Sequence, residues 1–365
     1  MKLITGLTCF LLMLISGLVF GLRPTNGQGE KQGLSLIEAD NQNIQYTGRI
    51  DFTNPKRPRF WSPGVYLKAS FKGSDCEIVV NDEVLYGNSH NYLEVAIDNR
   101  KPVRIKLTEA VNTIKVAEGL PEGAHTITIC KNTESGIGYL EFIGFKCERL
   151  LPLPAQPARK LEFIGDSITC GTGSDLSRTP CDQGQWYDQH NAYLSYGPIV
   201  ARQLNAQWSL SAVSGIGLIH SCCDMSITMP QVFDKMNLRT DTGNWDFARY
   251  QPDAVTICLG QNDGLQDPAA FTNAYIKFIQ RLRGYYPQAR IVCLTSPMGD
   301  ETLTSFLKSN LTRVVARLRD QGDQKVSTFF FSRQFHAGCG GHPDQDDHFL
   351  MADELSAYLK SILEW

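Results

Sequence analysis

Residues 162–173 read EFIGDSITCGTG. The run from Lys160 to Ile164 is short and apolar, and the chain then breaks at once into Gly165-Asp166-Ser167. A buried strand that ends by presenting a serine after a glycine has two readings. Ser167 is either a turn residue bonding its own backbone or a nucleophile raised at the lip of a sheet. The surrounding sequence decides between them.

Downstream, strands and helices alternate. WSLSAVSG, DAVTICLG, ARIVCLTSP and VSTFFFS read as short buried strands. NAYLSYGPIVARQL has helical spacing interrupted by Pro198, and PAAFTNAYIKFIQRLRGY, ETLTSFLKSNLTRVVARLRDQ and DDHFLMADELSAYLKSILEW read as helices. This order predicts an α/β domain over residues 161–365, a parallel sheet covered on both faces. In such sheets the crevice for chemistry lies at the carboxyl ends of the strands.

Upstream the period changes. From residue 38 to 150, segments such as GVYLKASFKG, CEIVVND, YLEVAIDN, VRIKL, TIKVAEG, HTITICKN and YLEFIGFKC alternate apolar and polar residues between turns. That is an all-β signature, a sandwich or jelly roll. LPLPAQPARK, residues 151–160, carries three prolines in its first seven positions and reads as a linker. The start, MKLITGLTCFLLMLISGLVFGL, has one basic residue and then an apolar run, as a secretory signal does. Residues 1–28 are therefore expected to be signal and leader, and the protein to be secreted or periplasmic, free of the membrane after cleavage.

The 365 residues exceed one typical core, which agrees with two domains. With 42% hydrophobic and 20% charged residues the composition is that of a globular protein, and a net charge of -3 gives no reason to expect nucleic acid as partner. Of eleven cysteines, Cys258 and Cys293 sit in apolar strands and read as buried thiols. Cys170, Cys181, Cys222, Cys223 and Cys339 fall in loops and are the candidates for disulfides, with the pairing open. No cysteine or histidine spacing suggests a metal, and no cofactor is expected.

Four segments fall where the strands of the α/β half end or the last helix begins: Gly165-Asp166-Ser167, Ser214-Gly215-Ile216-Gly217, Gly260-Gln261-Asn262-Asp263 and Gly341-His342-Pro343. A serine hydroxyl needs an adjacent base to attack. The tetrahedral oxyanion it creates needs donors aimed at it, which a glycine-exposed N–H and an asparagine amide supply. Ser167 as nucleophile, His342 as base, and the N–H groups of Ser167 and Gly215 with the Asn262 side chain as oxyanion hole make a complete acyl-transfer site. Gly217 is the second choice for the backbone donor. Asp166 reads as structural, and Asp263 as an anchor of its loop.

These blocks, IGDSIT, SGIG, LGQND and HPDQDDH in that order, resemble the SGNH (GDSL-type) hydrolases over residues 160–365, which implies a three-layer fold. Joined to a β-rich half containing RFWSPGVYLKASFKGSDCEIVV and GLPEGAHTITICKNTESGIGYLEFIGF, and with GCGGHPDQDDHFLMADEL, the whole chain is similar to carbohydrate esterase family 2. That resemblance implies a jelly roll coupled to the hydrolase domain and removal of O-acetyl groups from plant polysaccharides such as xylan and glucomannan. The acetylated polysaccharide is then the partner, and the protein a monomer. Two other readings stay open on the same residues: a GDSL-type lipase or acylhydrolase acting on another ester, and a carbohydrate-binding protein with little catalysis.

The chain departs from the family pattern at one place. Where many SGNH enzymes carry an aspartate three residues before the histidine, this chain has Cys339, and two residues before it has Gly340. His342 still needs its second ring nitrogen fixed. Some family members use a backbone carbonyl, here expected near Gly340 or Gly341. Asp344, Asp346 and Asp347 are expected to cap the last helix. His348 is a weak rival base, His336, His220 and His190 are possible neighbours of the pocket, and His90 and His125 are structural. Trp186, Tyr187 and Trp245 lie in loops, where one of them could face a sugar ring.

Overall fold

The computed structural model describes residues 34–240 and 243–365. The expected signal and leader, residues 1–28, lie outside the described residues.

Nine antiparallel strands form the first half: β1 (Leu36–Glu38), β2 (Ile44–Thr47), β3 (Arg59–Phe60), β4 (Tyr66–Asp82), β5 (Tyr92–Ile97), β6 (Val103–Lys106), β7 (Val111–Ala117), β8 (Ala124–Lys131) and β9 (Leu140–Leu151). They wrap one core that includes Phe71, Ile78, Leu93, Ile127, Phe142 and Phe145. The two segments read as separate strands, GVYLKASFKG and CEIVVND, are a single 17-residue strand, β4. Its first part pairs with β2 and β8 and its second with β7, while β9 runs along both, with a break in register between Lys72 and Cys76. One bent strand thus serves both layers of the sandwich, which an alternation pattern cannot distinguish from two strands joined by a turn.

The second half runs β10 (Lys160–Gly165), α1 (Ser167–Cys170), α2 (Tyr196–Gln203), β11 (Gln207–Ala212), α3 (Met229–Val232), β12 (Ala254–Cys258), α4 (Pro268–Tyr285), β13 (Arg290–Leu294), α5 (Glu301–Asp320), β14 (Val326–Phe329) and α6 (Gln345–Leu363). The sheet is parallel, in the order β11-β10-β12-β13-β14. Side chains of α4 and α5, among them Phe271, Tyr275, Leu307 and Leu311, cover one face. Those of α2 and α6, among them Tyr196, Val200, Met351 and Leu355, cover the other. Pro198 does not interrupt α2. It sits in the first turn, where the missing N–H would have had no helical partner.

The halves are joined by far more than the 151–160 segment. Arg49, 1% exposed, donates from Nη1 to the carbonyls of Phe233 and Lys235 at 2.6 and 2.7 Å, and its Nη2 lies 3.5 Å from the buried Glu162 carboxylate. Tyr66 stacks on Trp208 at 3.8 Å between ring centres, and the Trp208 indole N–H donates to the Gly64 carbonyl at 2.9 Å. Arg104 donates to the carbonyls of Asp188 and His190. A sandwich residue therefore satisfies buried acceptors of the α/β half at several points along the junction.

Candidate active site

The register of the parallel sheet assembles most of the site. Gly165, the last residue of β10, is level with Ala212 on β11 and Cys258 on β12. Loops leaving three adjacent strands at one height bring Ser167, Gly215 and Asn262 side by side. They line one open cavity of about 810 Å3, together with His342, Trp186 and Glu134.

His342 arrives differently. The segment from 330 to 344 runs back from the edge strand β14 across the ends of its neighbours. Phe331 N–H donates to Thr295 Oγ1, Phe335 N–H to the Pro297 carbonyl, and Cys339 N–H to the Gly173 carbonyl. This places His342 Nε2 2.8 Å from Ser167 Oγ. Its Nδ1 is 3.0 Å from the Cys339 carbonyl oxygen. A carbonyl only accepts, so Nδ1 carries the proton and Nε2 is left to accept from the serine hydroxyl. The orienting carbonyl is thus that of Cys339, one residue before the expected Gly340 or Gly341. The 3-10 turn Cys339–Gly341 folds the chain back so that this oxygen faces the ring. Burial holds the His342 imidazole below its ordinary pKa, and the Cys339 bond opposes that shift.

The N–H groups of Ser167 and Gly215 have no partner among the described residues. Gly215 adopts φ 83°, and a β-carbon there would come within 3.0 Å of Cys222 Sγ, so the position needs glycine on both counts. Gly217, the second choice, is excluded because its N–H already donates to Ser221 Oγ at 2.9 Å. Asn262 Nδ2 donates to the Ile216 carbonyl at 2.9 Å and to Asp166 Oδ2 at 3.2 Å. It ties the three loops together. Asp166 is buried, which raises its carboxyl to about 7, and it accepts from Ile168 N–H through Oδ1. Asp263 accepts from the N–H groups of Leu218, Ile219 and His220, so it anchors the β11 loop as well as its own.

One contributor was not anticipated. Glu134, from the sandwich, is fully buried at the cavity wall, and its Oε2 accepts from Ser214 N–H at 2.7 Å. The peptide that precedes the Gly215 donor is held by a residue 80 positions away. Nothing in the local pattern at 131–137 announces this, since the partner is a backbone group.

The remaining candidates fall into place. His348 is in the core, its Nδ1 accepting from Tyr196 N–H at 3.2 Å, and burial pushes it down to about 3. His190 is also fully buried and pushed down to about 3 by burial, behind Trp186 at 4.7 Å between rings. His336 is exposed, and His220 is at the rim with Nδ1 3.5 Å from the Asn262 carbonyl. His90 and His125 bond Asp82 and Asp98 within the sandwich. Of the three loop aromatics only Trp186, 55% exposed, faces the cavity. Tyr187 is buried against the sandwich through Asn88 and His90, and Trp245 is buried beside Arg49 and Arg249. Asp344 caps α6 by accepting from Asp347 N–H at 2.8 Å, and Asp347 itself accepts from Ala337 N–H. Cys181 pairs with Cys339 and Cys222 with its neighbour Cys223. Cys170 is not in a disulfide: it is a buried thiol packed beside Glu134.

Comparison with known proteins gives the same two-part division. Residues 46–154 match the carbohydrate esterase 2 N-terminal family, and residues 163–354 the GDSL-like lipase/acylhydrolase family. The chain is 34% identical to the cellulase/esterase CelE of Acetivibrio thermocellus over 90% of its own length, and it spans 40% of the length of that relative. It is 31% identical to an acetylxylan esterase / glucomannan deacetylase of Cellvibrio japonicus, covering 98% of this chain and 99% of the relative. In structure it is similar to a family two carbohydrate esterase from Clostridium thermocellum in complex with cellohexaose, with a TM-score of 0.81, 32% identity, and coverage of 88% of this chain and 99% of that one.

Proposed function

The chain belongs to carbohydrate esterase family 2, a group of carboxylic ester hydrolases, and from that premise we propose that it removes O-acetyl groups from plant polysaccharides of the xylan and glucomannan type. The observation that carries the mechanism is the 2.8 Å bond from Ser167 to a histidine whose other nitrogen is already committed.

In this reading Ser167 Oγ attacks the acetyl carbonyl carbon while His342 Nε2 takes its proton. The oxyanion accepts from the free N–H groups of Ser167 and Gly215 and from the Asn262 amide. The C–O bond to the sugar breaks, and His342 returns the proton to the departing hydroxyl. A water then attacks the acetyl carbonyl carbon while His342 Nε2 takes its proton, the bond to Ser167 Oγ breaks, His342 returns the proton to Oγ, and acetate is released. The Cys339 carbonyl keeps a proton on Nδ1 throughout, so that Nε2 is the nitrogen that takes and returns the travelling proton. A carbonyl orients the imidazolium but stabilises its charge less than a carboxylate would.

Trp186 supports a sugar-facing rim, since its ring is open to the cavity and planar faces pack against pyranose rings. Disulfides support an exported protein, because reducing compartments keep thiols apart. The test is acetate release from acetylated xylan and glucomannan, with Ser167→Ala in parallel. Release by the wild type alone is expected. Hydrolysis of longer acyl esters without acetate release would overturn the substrate, and release by Ser167→Ala would overturn the nucleophile.

A further inference from the structure

The carbonyl that orients His342 belongs to a cysteine bonded to a distant loop. Cys339 pairs with Cys181, 158 residues earlier in the chain. Around Cys339 few side chains help to hold the backbone. Its neighbours Gly338, Gly340 and Gly341 have no side chains, and Gly340 and Gly341 adopt φ 61° and 72°. A β-carbon on Gly341 would meet nothing within 4 Å, and one on Gly340 would meet only the His342 ring at 3.6 Å. Gly338 lies close against the carbonyls of Gly173, His342 and Pro343, so the stretch is packed at its start and open at Gly340 and Gly341, on the side that leads to the histidine. Three backbone bonds restrain it, Cys339 N–H to Gly173, Gly338 N–H to His342 and His342 N–H to the Cys339 carbonyl, and Ala337 N–H just before it donates to Asp347. The Cys339 side chain is its single covalent anchor.

At the other end, Cys181 lies in an exposed loop that is itself braced. Gln189 Nε2 donates to the carbonyls of Pro180 and Gln183 at 2.8 and 2.9 Å, and the same loop carries Trp186 to the cavity. The disulfide thus joins the rim of the cavity to the turn that aims the base. A carboxylate at Cys339 would orient the ring through its own side chain. A carbonyl can do so only as well as its backbone is fixed, so whatever fixes that backbone takes over the carboxylate's task.

We propose that the Cys181–Cys339 disulfide is the positioning element for His342, holding the Cys339 carbonyl where it selects the Nδ1–H tautomer and turns Nε2 toward Ser167. The inference rests on the Ser167–His342 reading. Without the cystine, Gly338–Gly341 samples other conformations, the carbonyl leaves the ring, and the population with Nε2 facing Ser167 falls.

The experiment uses Cys181→Ser in the full chain, which leaves Cys339 and its carbonyl in place and changes an exposed position. Cys339→Ser and the double variant accompany it, because they remove the same bond without leaving the same unpaired thiol. Deacetylation of acetylated xylan and hydrolysis of 4-nitrophenyl acetate give kcat and KM, thermal unfolding gives stability, and 15N NMR of labelled histidine reports the tautomer. The expected result is a fall in kcat of about tenfold to hundredfold, the scale of a small misplacement of reacting groups. KM should stay within about twofold, and all three variants should lose the same amount, since they break one bond. The His342 ring should change from a fixed Nδ1–H form to a tautomer mixture. Wild-type kcat with only a lowered melting temperature would overturn the proposal, as would loss in Cys339→Ser but not in Cys181→Ser. Ser167→Ala in the same assays separates the two readings. If it keeps activity, the dyad itself fails. If it is inactive while Cys181→Ser is unaffected, only the positioning role fails.

Discussion

The serine side and the histidine side of this site meet across 2.8 Å and are built by different means. Ser167, Gly215 and Asn262 leave three neighbouring strands at one level, so the hydrogen-bond register of the sheet sets their spacing. Asp166, Asp263 and Glu134 then lock the loops with charge-capable acceptors on backbone N–H groups or, for Asn262, its side-chain amide. His342 hangs on a crossing segment rich in glycine, held by a few backbone bonds and a disulfide. The comparison teaches that preorganisation comes from whichever restraint the local chain lacks. Near a sheet, side chains have only to fine-tune the loops. Away from it, a covalent bond sets the geometry.

The contrast can be broken first at the serine side. Asn262→Ala should lower kcat by about 10²-fold, the usual cost of one oxyanion donor, with little change in KM. A fall in kcat of less than about fivefold would mean that the amide only ties loops together. Next, Glu134→Ala should lower kcat by about tenfold, since Ser214 N–H loses a charged acceptor and Gly215 a support, and should cost about 2 kcal/mol of stability for the stranded buried N–H. Glu134→Gln, which keeps an acceptor oxygen, should recover most of both. Steady-state kinetics and denaturant titration check the pair.

The histidine side is sharpened by pH. His342 must be neutral to accept a proton, and burial depresses its pKa below the ordinary value of about 6.5. A depressed pKa means the ring loses its proton at lower pH. The acid limb of kcat/KM should therefore bend below about pH 6.5, and activity should persist as pH falls through that point. A bend at or above it would contradict the burial of the base. The smallest effect belongs to Asp344, two residues beyond the histidine. Asp344→Ala removes a helix cap and should cost about 1 kcal/mol in thermal or denaturant unfolding. It should leave kcat within about twofold, because the ring is oriented from Cys339 and not from this carboxylate.

The parts that were legible in the sequence are those that local chemistry writes. IGDSIT, SGIG and LGQND each follow an apolar strand directly, so the parallel sheet and the loops at its edge could be read together. The parts that were not legible depend on distant groups. Glu134 looks like any polar residue after a strand, because its partner is a backbone N–H in the other half. Cys339 and Cys181 could be named as candidates but not as a pair, since loop proximity leaves no mark in spacing. The orienting carbonyl fell one residue from its expected place because the Cys339–Gly341 turn tightens the chain. Cys170 reads as a loop cysteine but is the last residue of the short α1 and is fully buried, which four residues of sequence do not reveal.

Arg49 carries a consequence for how such chains can recombine. Its guanidinium, contributed by the sandwich, sits under the aromatic rings of Phe233, Trp245 and Phe247 and beside Glu162 of β10. A crossover in the proline-rich segment that exchanged the sandwich for an unrelated module would leave that carboxylate and two carbonyls facing an empty, apolar seat. Breaking a buried ion pair by removing one partner costs about 3–5 kcal/mol, a large share of the stability of an ordinary domain. A cut or exchange at 151–160 therefore removes a buried partner of the α/β half as well as a neighbour, and a chimaera made there is expected to need a new partner for Glu162 before it folds as firmly as the parent.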